Sequence, residues 1–472
     1  MLYKSSVSVN PWSAAWRPDG SIVQYQFYID QGIGVLVSVS DQGGQPVTVA
    51  TPDSVRDETI LWFPHVMPDG ETIAVVARKK NETSDLILLK DSLRKSLLHT
   101  NPGESLLTPV YAPSGFLIYQ RNTTDGRINL WAIQLEPNKY EPLGEPFIVA
   151  QDASNPSVSS DGTLVFLSGN RTLEKQLVWV DREGRITGSI GQPKPNLRMP
   201  ALSPDDGKVA VVANDQSNSN IWTYDAIRGI PMRLTYDDNL QVLPAWSPDG
   251  KELVFTSSSG GGGGFILLRM RSDGNGSVQP LLPEIPSTIG FEPDWSHDGR
   301  YVVYRGGNSD LMASEIRDGA EPFVLMQTDH SERVPALSPD GNYVAYQSNQ
   351  SGGIEVYVSR FPSGEGKWQI STGGGRRPRW NGDGSELFYI KRDFVNASGS
   401  DQLMVVPVMT DSTFHPGIPQ SLFAAETVGV FDLTDYDVSS DGKRFVIAQP
   451  VNQGEPPLIT VVQNWYAEFK DK

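Results

Sequence analysis

The sequence predicts an all-β protein, a β-propeller of about ten four-stranded blades. Three observations lead to this prediction. A turn signal recurs roughly every 45 residues, an apolar residue and a proline stand at fixed distances before it, and short apolar segments follow it. No long segment has the 3.6-residue hydrophobic period of an amphipathic helix.

The turn signal is an acidic residue followed by glycine. Such a pair reverses the chain because the aspartate side chain accepts local backbone hydrogen bonds and glycine tolerates a positive φ. In the fifth unit we count from Asp205 and treat Asp206 as an insertion. Nine such turns lie at Asp19-Gly20, Asp69-Gly70, Asp161-Gly162, Asp206-Gly207, Asp249-Gly250, Asp298-Gly299, Asp340-Gly341, Asp383-Gly384 and Asp441-Gly442, and Ser114-Gly115 takes the same place once, which makes ten units.

Two other residues keep a fixed distance from each turn. An apolar residue, here called the anchor, stands three positions before the acidic residue: Trp16, Val66, Tyr111, Val158, Leu202, Trp246, Trp295, Leu337, Trp380 and Val438. A proline stands five positions before it in eight units: Pro64, Pro109, Pro156, Pro200, Pro244, Pro293, Pro335 and Pro378. Because proline cannot donate to a β-ladder, we expect it at the first residue of a short strand that ends at the turn.

Apolar segments after each turn predict three more strands per unit. Examples are KELVFTS and RYVVYRG for the second strand, NLWAIQL and NIWTYDA for the third, and EPFIVAQ and PMRLTYD for the fourth. A single four-stranded unit cannot bury both of its faces, so the units are expected to stack face to face around an axis. A solenoid fits less well, because the coils of β-helices are shorter than these units.

The last unit lacks a strand, because only NWYAEFKDK follows LITVVQN. Two segments could supply its outer edge. RITGSIG, at residues 185–191, would close the last six units as one ring, whereas the N-terminal LYKSSVSV would close all ten. We favour the first solution because propellers of six blades are common. The expected domains are residues 1–172, with about four blades, and residues 173–472, a six-bladed propeller.

Composition narrows the possible functions. The 472 residues include 39 Lys and Arg against 56 Asp and Glu, and the resulting net charge of −17 disfavours nucleic acid as a partner. The absence of cysteine excludes disulfides and fits either a cytoplasmic or a periplasmic protein. MLYKSSVSVNPWSAAW is not a recognisable signal peptide, and no apolar stretch of about 18 residues predicts membrane insertion.

The repeats resemble a known family. LPAWSPDGKELVFTS and VPALSPDGNYVAYQS are similar to the TolB-like, WD-like β-propeller repeats of bacteria. VYVSRFPSGEGKWQISTGGGRRPRW, GIPQSLF and YDVSSDGKRFVI followed by LITVVQNW resemble the propeller segment of bacterial eukaryotic-like Ser/Thr kinases, which follows the kinase domain and a membrane span. Similar segments follow winged-helix DNA-binding domains in some regulators.

This resemblance implies a binding or sensor module in a periplasmic or other extracytoplasmic location. Its implied partner is a protein or peptide, such as a component of the cell envelope. The chain has no Gly-rich kinase loop, HRD or DFG motif, so kinase activity is not implied. The partnership of TolB with a peptidoglycan-associated lipoprotein is a weaker implication, because the separate N-terminal α/β domain of TolB is not recognisable in this sequence.

No motif in the sequence predicts catalysis. GxSxG, HExxH, P-loop and dinucleotide-binding patterns are absent, and His65, His99, His297, His330 and His415 form no i,i+4 pair of metal ligands. Neither a metal nor a cofactor is expected. The alternative is a propeller-based enzyme, such as a polysaccharide lyase or hydrolase. A cluster of histidines or metal ligands beside the arginines described next would favour that alternative.

The candidate binding site comes from the repeat position two residues before the proline. Equivalent positions of the blades converge around a propeller axis, so Arg198, Arg333 and Arg376 are expected at one end of the central channel. Arg377 stands next to this position, and Glu292 lies in the equivalent neighbourhood. Clustered guanidinium groups predict a site for an anion or a carboxylate.

Two other interpretations of this position stay open. The arginines could be solvated side chains that pair with nearby acids. Aromatic residues at the same register, Trp12, Trp62 and Phe291, could instead form a rim that binds a peptide or a sugar. The predicted function is a non-catalytic binding, sensor or scaffold module that recognises a peptide, a protein or an anionic small ligand at the channel mouth.

Overall fold

A computed structural model of the chain confirms the predicted all-β class. It describes residues 13–28, 33–79, 83–101, 104–123, 127–169, 174–215, 218–236, 239–258, 265–281, 290–306, 310–317, 319–392, 401–410, 413–428, 436–451 and 458–469. Helical structure within these ranges is limited to short 3-10 turns at Ser54–Arg56, Ala425–Val428 and Trp465–Phe469. None of the helices there is long and apolar enough to span a membrane.

The described strands form two compact units. Unit 1 contains residues 13–169 and 458–469, and unit 2 contains the described residues between 174 and 451. The strands of unit 1, in chain order, are β1 (Ala14–Trp16), β2 (Ser21–Tyr28), β3 (Ile33–Ser40), β4 (Val47–Ala50), β5 (Glu58–Val66), β6 (Ile73–Lys79), β7 (Ser84–Lys90), β8 (Leu93–His99), β9 (Ser105–Ala112), β10 (Phe116–Asn122), β11 (Ile128–Gln134), β12 (Phe147–Ala150), β13 (Ala153–Val158) and β14 (Leu164–Ser168).

The first two repeats of unit 1 join into one eight-stranded sheet. Strands β1 to β4 and β5 to β8 are each antiparallel, and a single parallel pair between Gly34 and Ile60 connects the two groups. Glycine is needed at this junction, because a Cβ at position 34 would lie 2.4 Å from Cε2 of Tyr25. Strands β9 to β12 form the next sheet, and β13 pairs with β14 in the last.

Unit 2 contains six sheets of four or five strands within its described residues. In chain order its strands are β15 (Glu174–Asp181), β16 (Ile186–Pro195), β17 (Arg198–Leu202), β18 (Lys208–Asp215), β19 (Asn218–Asp225), β20 (Pro231–Arg233), β21 (Gln241–Trp246), β22 (Glu252–Ser258), β23 (Phe265–Arg271), β24 (Gln279–Pro280), β25 (Phe291–Trp295), β26 (Tyr301–Arg305), β27 (Leu311–Glu315), β28 (Phe323–Met326), β29 (Glu332–Leu337), β30 (Tyr343–Ser348), β31 (Glu355–Arg360), β32 (Trp368–Gln369), β33 (Arg376–Trp380), β34 (Glu386–Lys391), β35 (Gln402–Met409), β36 (His415–Pro416), β37 (Gln420–Ala424), β38 (Tyr436–Val438) and β39 (Arg444–Pro450). The final strand of the chain is β40 (Leu458–Val462).

One sheet of unit 2 combines strands from its two ends. Its order is β16-β15-β39-β38, so the strand that contains most of residues 185–191 forms the outer edge next to the last repeat. The first strands of the six sheets also contact each other in a closed order: β38, β17, β21, β25, β29, β33 and again β38. The alternative segment LYKSSVSV lies outside the described residues, and the number of blades in a ring stays a prediction.

The C-terminal strand does not lie in the domain predicted for it. LITVV was assigned to the domain 173–472, but β40 pairs along its whole length with β14 of unit 1, from Val462 opposite Leu164 to Leu458 opposite Ser168. The free edge of β39 is already taken by β15, so β40 cannot pair there. The sheet β13-β14-β40 has three described strands instead of the predicted four.

The prolines do not open the inner strands as predicted. Each lies inside its strand, directly after a residue with positive φ, where the pairing with the second strand shifts its register. In unit 2 these residues are Met199 (φ 54°), Leu243 (58°), Glu292 (55°), Val334 (50°) and Arg377 (52°). A β-bulge leaves one residue out of the ladder, so the proline costs no hydrogen bond at this point.

The fifth turn contains a substitution and not an insertion. Asp205 accepts the same hydrogen bond from Ser203 Oγ that Asp249 accepts from Ser247 Oγ, at 2.6 and 2.7 Å. Asp206 then takes the left-handed position of the turn glycine, with a φ of 56°. Its carboxylate accepts hydrogen bonds from the backbone N–H and Oγ of Ser440, at 3.0 and 2.7 Å, which ties the start of unit 2 to its end.

Apolar side chains of the second and third strands fill the spaces between neighbouring sheets. Between β34 and β39, for example, Phe388 and Phe445 are fully buried, with ring centroids 5.4 Å apart. Val405 of β35 and Val178 of β15 belong to the same buried cluster. This stacking of sheet faces leaves the first strands of unit 2 to line its centre.

Candidate functional site

A cavity of about 280 Å³ lies at the centre of unit 2. Its walls are the first strands of the six sheets and the turns that follow them. The residues that precede the prolines and line the cavity are Met199, Leu243, Glu292, Val334 and Arg377. Those that follow the proline position are Ala201, Ala245, Asp294, Ala336, Arg379 and Asp437.

A charged cluster stands where other repeats have alanine. Arg379 Nε lies 3.4 Å from Asp437 Oδ1. Asp437 Oδ2 accepts a hydrogen bond from the backbone N–H of Leu202 at 2.7 Å, and Asp294 Oδ2 accepts one from that of Leu337 at 2.6 Å. Arg379 therefore forms an ion pair with Asp437, and its positive charge also acts on the carboxylate of Asp294.

Burial dominates the electrostatics of both aspartates. It raises the pKa of Asp294 to about 6, although the N–H of Leu337 and the positive charge of Arg379 both act to lower it. Burial also raises the pKa of Asp437, again against the effect of Arg379. The negative charge of Asp437 raises the pKa of Asp294 further, as expected for two acids at one site.

Tyr436 takes the place of the proline in the last repeat. Its hydroxyl donates a 2.8 Å hydrogen bond to the backbone oxygen of Arg377, and burial raises the pKa of the phenol. This bond crosses from β38 to β33 and holds the backbone beside Arg379. The cavity is thus framed by contacts between neighbouring sheets.

The three predicted arginines do not line this cavity. Arg376 donates to Asp401 at 2.7 Å, and that carboxylate, which is fully buried, also accepts from Arg392 at 2.6 Å. Arg198 donates to Ser219 Oγ at 2.9 Å. The side chain of Arg376 therefore stabilises its own sheet, as the alternative interpretation expected for these positions.

Arg333 likewise bonds locally, from Nε to Ser331 Oγ at 3.0 Å. The β-bulge explains why the predicted position fails. It adds a residue to each first strand, so the positions directly before and after the proline line the cavity, and the position two before it pairs with the second strand. Arg377 and Glu292 are the two predicted site residues that do line the cavity.

Glu292 is already engaged by neighbouring groups. Its Oε2 accepts hydrogen bonds from the backbone N–H of Val334 at 2.9 Å and from Arg305 Nε at 3.2 Å. The Arg305 guanidinium also lies 4.3 Å from the ring centroid of Phe291, and burial lowers its pKa. Of the residues proposed for an aromatic rim, Phe291 is covered in this way, Trp62 belongs to unit 1, and Trp12 lies outside the described residues.

The histidines that would favour an enzyme are not at this site. His330 and His415 are exposed and do not line the cavity, whereas His297 does. Within the described ranges, no group of three His, Cys, Asp or Glu side chains could hold a metal ion.

Three residues of the site, Asp294, Arg379 and Asp437, were not predicted from the sequence. A signal for them was present. Each is a charged residue at the position after the proline, where the other three repeats of unit 2 have alanine. Aligning the repeats on the position after the proline, and asking where small residues give way to charged ones, would have found all three.

Comparisons with known proteins support the resemblance of the repeats to those of TolB proteins. No family model matches the chain. The uncharacterized peptidase YuxL of Bacillus subtilis is 24% identical over 196 residues, which cover 32% of this chain and 29% of that protein. A TolB homologue of Chlorobium luteolum is 24% identical over 158 residues, covering 33% and 35%.

The Tol-Pal system protein TolB of Ruthia magnifica is 30% identical over 105 residues, which cover 21% of this chain and 25% of that protein. The repeats are TolB-like β-propeller repeats. The chain spans at most 35% of the length of each of these three relatives.

Two solved TolB structures are also similar to the chain. The one from Agrobacterium tumefaciens has a TM-score of 0.47 and 15% identity, and the match covers 60% of this chain and all of that one (100%). The one from Acinetobacter baumannii has a TM-score of 0.33 and 17% identity, with 78% and 80% covered. Similarities of this size carry no information about a ligand.

Proposed function

We propose that unit 2 is a non-catalytic binding module that takes a segment of another protein into its central cavity. The observation that carries this proposal is the cavity lining: small alanines and a charged cluster occupy repeat positions where apolar side chains could have filled the space. A volume of about 280 Å³ accommodates one or two side chains of a partner, and the partner's remaining surface would rest on the rim.

We further propose that the six sheets of unit 2 are the blades of one propeller. The closed order of contacts among their first strands supports this interpretation, as does the pairing of β15 with β39. A ring fixes the geometry of the lining residues, because no blade can move without its two neighbours. Such a rigid site is suited to recognition.

The similarity to TolB proteins supports an extracytoplasmic location and a protein of the cell envelope as the partner. One of the matched relatives is named as part of the Tol-Pal system, and the chain matches only a minor part of that relative. We favour binding over hydrolase or lyase chemistry because the charged cluster consists of the Arg379–Asp437 ion pair and the carboxylate of Asp294, and His330 and His415 do not line the cavity.

A peptide-display selection against the purified chain tests this function. Peptides that bind are then measured against Ala201→Leu and Ala245→Leu, which place a larger side chain on the cavity wall. We expect each variant to weaken binding at least about tenfold. Val324→Leu serves as the control, because Val324 is 51% exposed on an outer strand. Binding that is equal in all variants, or a failure to select any peptide, contradicts the proposal.

A further inference from the structure

On the basis of the proposed function, we propose that the centre of the cavity binds a positively charged group of the partner, the guanidinium or ammonium of an arginine or lysine side chain. The acceptor is the carboxylate of Asp294, assisted by Asp437. This chemistry is opposite to the anion site that the predicted arginine cluster suggested.

The charges on the cavity wall favour a cation. Carboxylates outnumber guanidinium groups among the lining residues by four to two. The charged and titratable side chains that face the cavity are Asp206, Glu292, Asp294, Asp437, Arg377, Arg379, His297 and Tyr436. The site is therefore left with negative charge near neutral pH, in a cavity where water screens it poorly.

The hydrogen bonds of these acids single out Asp294. Asp206 is occupied by Ser440, and Glu292 by Val334 and Arg305. Asp437 bonds through both oxygens, to Leu202 and Arg379.

Asp294 accepts hydrogen bonds from the backbone N–H groups of Leu337 and Trp295, and within the described residues no arginine, lysine or histidine nitrogen lies within 4.0 Å of its carboxylate as an ion-pair partner. Its side chain is half-buried and lines the cavity. A carboxylate without an ion-pair partner among the described residues thus lies at the centre of the cavity.

A cation bound beside Asp294 would stabilise its ionised carboxylate. A buried carboxylate without its own counter-charge is destabilised relative to its neutral form, and this is why burial raises the pKa of Asp294 to about 6. A guanidinium or ammonium would restore the missing partner and form a charge-assisted hydrogen bond. Arg379 cannot fully do so, because it is committed to Asp437 at 3.4 Å.

Binding should depend on pH in a defined direction. The cation needs ionised Asp294, so affinity should fall as pH drops below about 6. His297, Arg377 and Arg379 lie on the same wall. His297→Gln is the control, because it should leave the dependence on pH in place.

Two small probes of nearly equal shape test the charge requirement. Nα-acetyl-argininamide carries the guanidinium, and Nα-acetyl-citrullinamide replaces it with a neutral urea. The fluorescence of Trp295 and Trp380, which line the cavity, reports binding. At about pH 7.5 we expect the arginine probe to bind at least tenfold more tightly than the citrulline probe.

Two variants with opposite expected effects separate charge from structural damage. Asp294→Asn should remove most of the preference for the arginine probe. Arg379→Gln should strengthen its binding several-fold, because it frees Asp437, whereas general loss of structure would weaken it. Asp273→Asn, on an exposed turn, is the control and should change nothing.

Equal binding of the two probes, or absence of binding by either, overturns the inference. So does an Arg379→Gln variant that loses binding as Asp294→Asn does. Peptides from the display selection make the two proposals distinguishable. If selected peptides bind in the cavity and tolerate replacement of every arginine and lysine by citrulline or norleucine, the proposed function stands and the cation site is wrong.

Discussion

The carboxylate of Asp437 accepts a hydrogen bond from the backbone N–H of Leu202, 235 residues earlier in the chain, at 2.7 Å. Asp294 makes the equivalent bond to Leu337 of the next sheet, at 2.6 Å. In each case the acid follows the proline position of one repeat and the N–H belongs to the anchor of the following repeat. This side chain therefore fastens one sheet to the next.

Two of the sheets that lack the acid are joined to the next sheet by the anchor side chain instead. The indole N–H of Trp246 donates to the backbone oxygen of Ala201 at 2.8 Å, and that of Trp380 donates to Ala336 at 3.0 Å. Neighbouring sheets are thus joined in two ways. Where the next anchor is leucine, an aspartate side chain accepts from its backbone N–H; at Trp246 and Trp380, the indole donates to the backbone oxygen of an alanine. The residues free to vary at this position are also those that line the cavity.

Asp437→Ala is expected to destabilise unit 2 by about 1–3 kcal/mol, because it leaves the N–H of Leu202 without its acceptor. Asp437→Asn keeps an acceptor oxygen and should lose less. Chemical denaturation, followed by the fluorescence of the buried Trp246, measures the difference. A loss of equal size in both variants would show that the charge, and not the hydrogen bond, is what matters.

Asp294 should make unit 2 less stable as pH rises. Its pKa of about 6 in the folded state is above its ordinary value of 3.8, so the folded state holds this proton more tightly than the unfolded state does. The stabilisation is complete below about pH 4 and is lost as pH rises through about 6, by up to about 3 kcal/mol. Asp294→Asn removes this dependence.

Thermal melting of the chain and of Asp294→Asn across this interval provides the measurement. The variant is expected to gain stability relative to the original chain at neutral pH and to match it near pH 4. Asp273→Asn, whose carboxylate is exposed, should keep the original slope. Parallel curves for the chain and Asp294→Asn would contradict the assigned pKa.

His65 should give unit 1 the opposite pH response. It lies at the same repeat position, and its Nε2 accepts a 3.1 Å hydrogen bond from the backbone N–H of Tyr111. Burial lowers the pKa of His65 to about 4. The neutral ring therefore stabilises the fold above about pH 6.5, and this contribution, roughly 3 kcal/mol, is lost as pH falls towards 4.

Hydrogen exchange of the Tyr111 amide measures this effect directly. Protection should decrease as pH falls from about 6.5 to 4, after correction for the intrinsic exchange rate. His65→Gln retains an acceptor without titrating, so its protection should stay level over the same interval. If the variant loses protection in the same way as the original chain, protonation of His65 is not the cause.

Local signals in the sequence were sufficient for the repeat but not for the site. Turn, anchor and proline recur because each is decided within a few residues. The β-bulge at residues such as Met199 is not visible in that pattern, since proline fits either a strand start or a bulge. That one extra residue moves Arg198 off the cavity wall and brings Met199 and Ala201 onto it.

Contacts between distant segments were the other source of error. The partner of Arg376 is Asp401, which lies 25 residues later, directly before β35. This ion pair could not be predicted from the pattern of a single repeat. The position of β40 depends on which strand edge remains open after β15 has paired with β39. Such choices depend on competition between edges, and single-repeat patterns contain no information about them.

Asp206 offers a test of how the ends of unit 2 are joined. Asp206→Gly restores the common turn sequence and relieves the left-handed φ of 56°, a gain of about 1 kcal/mol for the turn itself. It also removes the acceptor for the N–H and Oγ of Ser440. If the hydrogen bonds to Ser440 contribute more free energy than the strain of the turn costs, the variant should be less stable than the original chain. Ser440→Ala removes only the Oγ bond and should show a smaller loss of stability. An Asp206→Gly variant that is more stable than the original chain would mean that the hydrogen bonds to Ser440 contribute less than the strain of the turn costs.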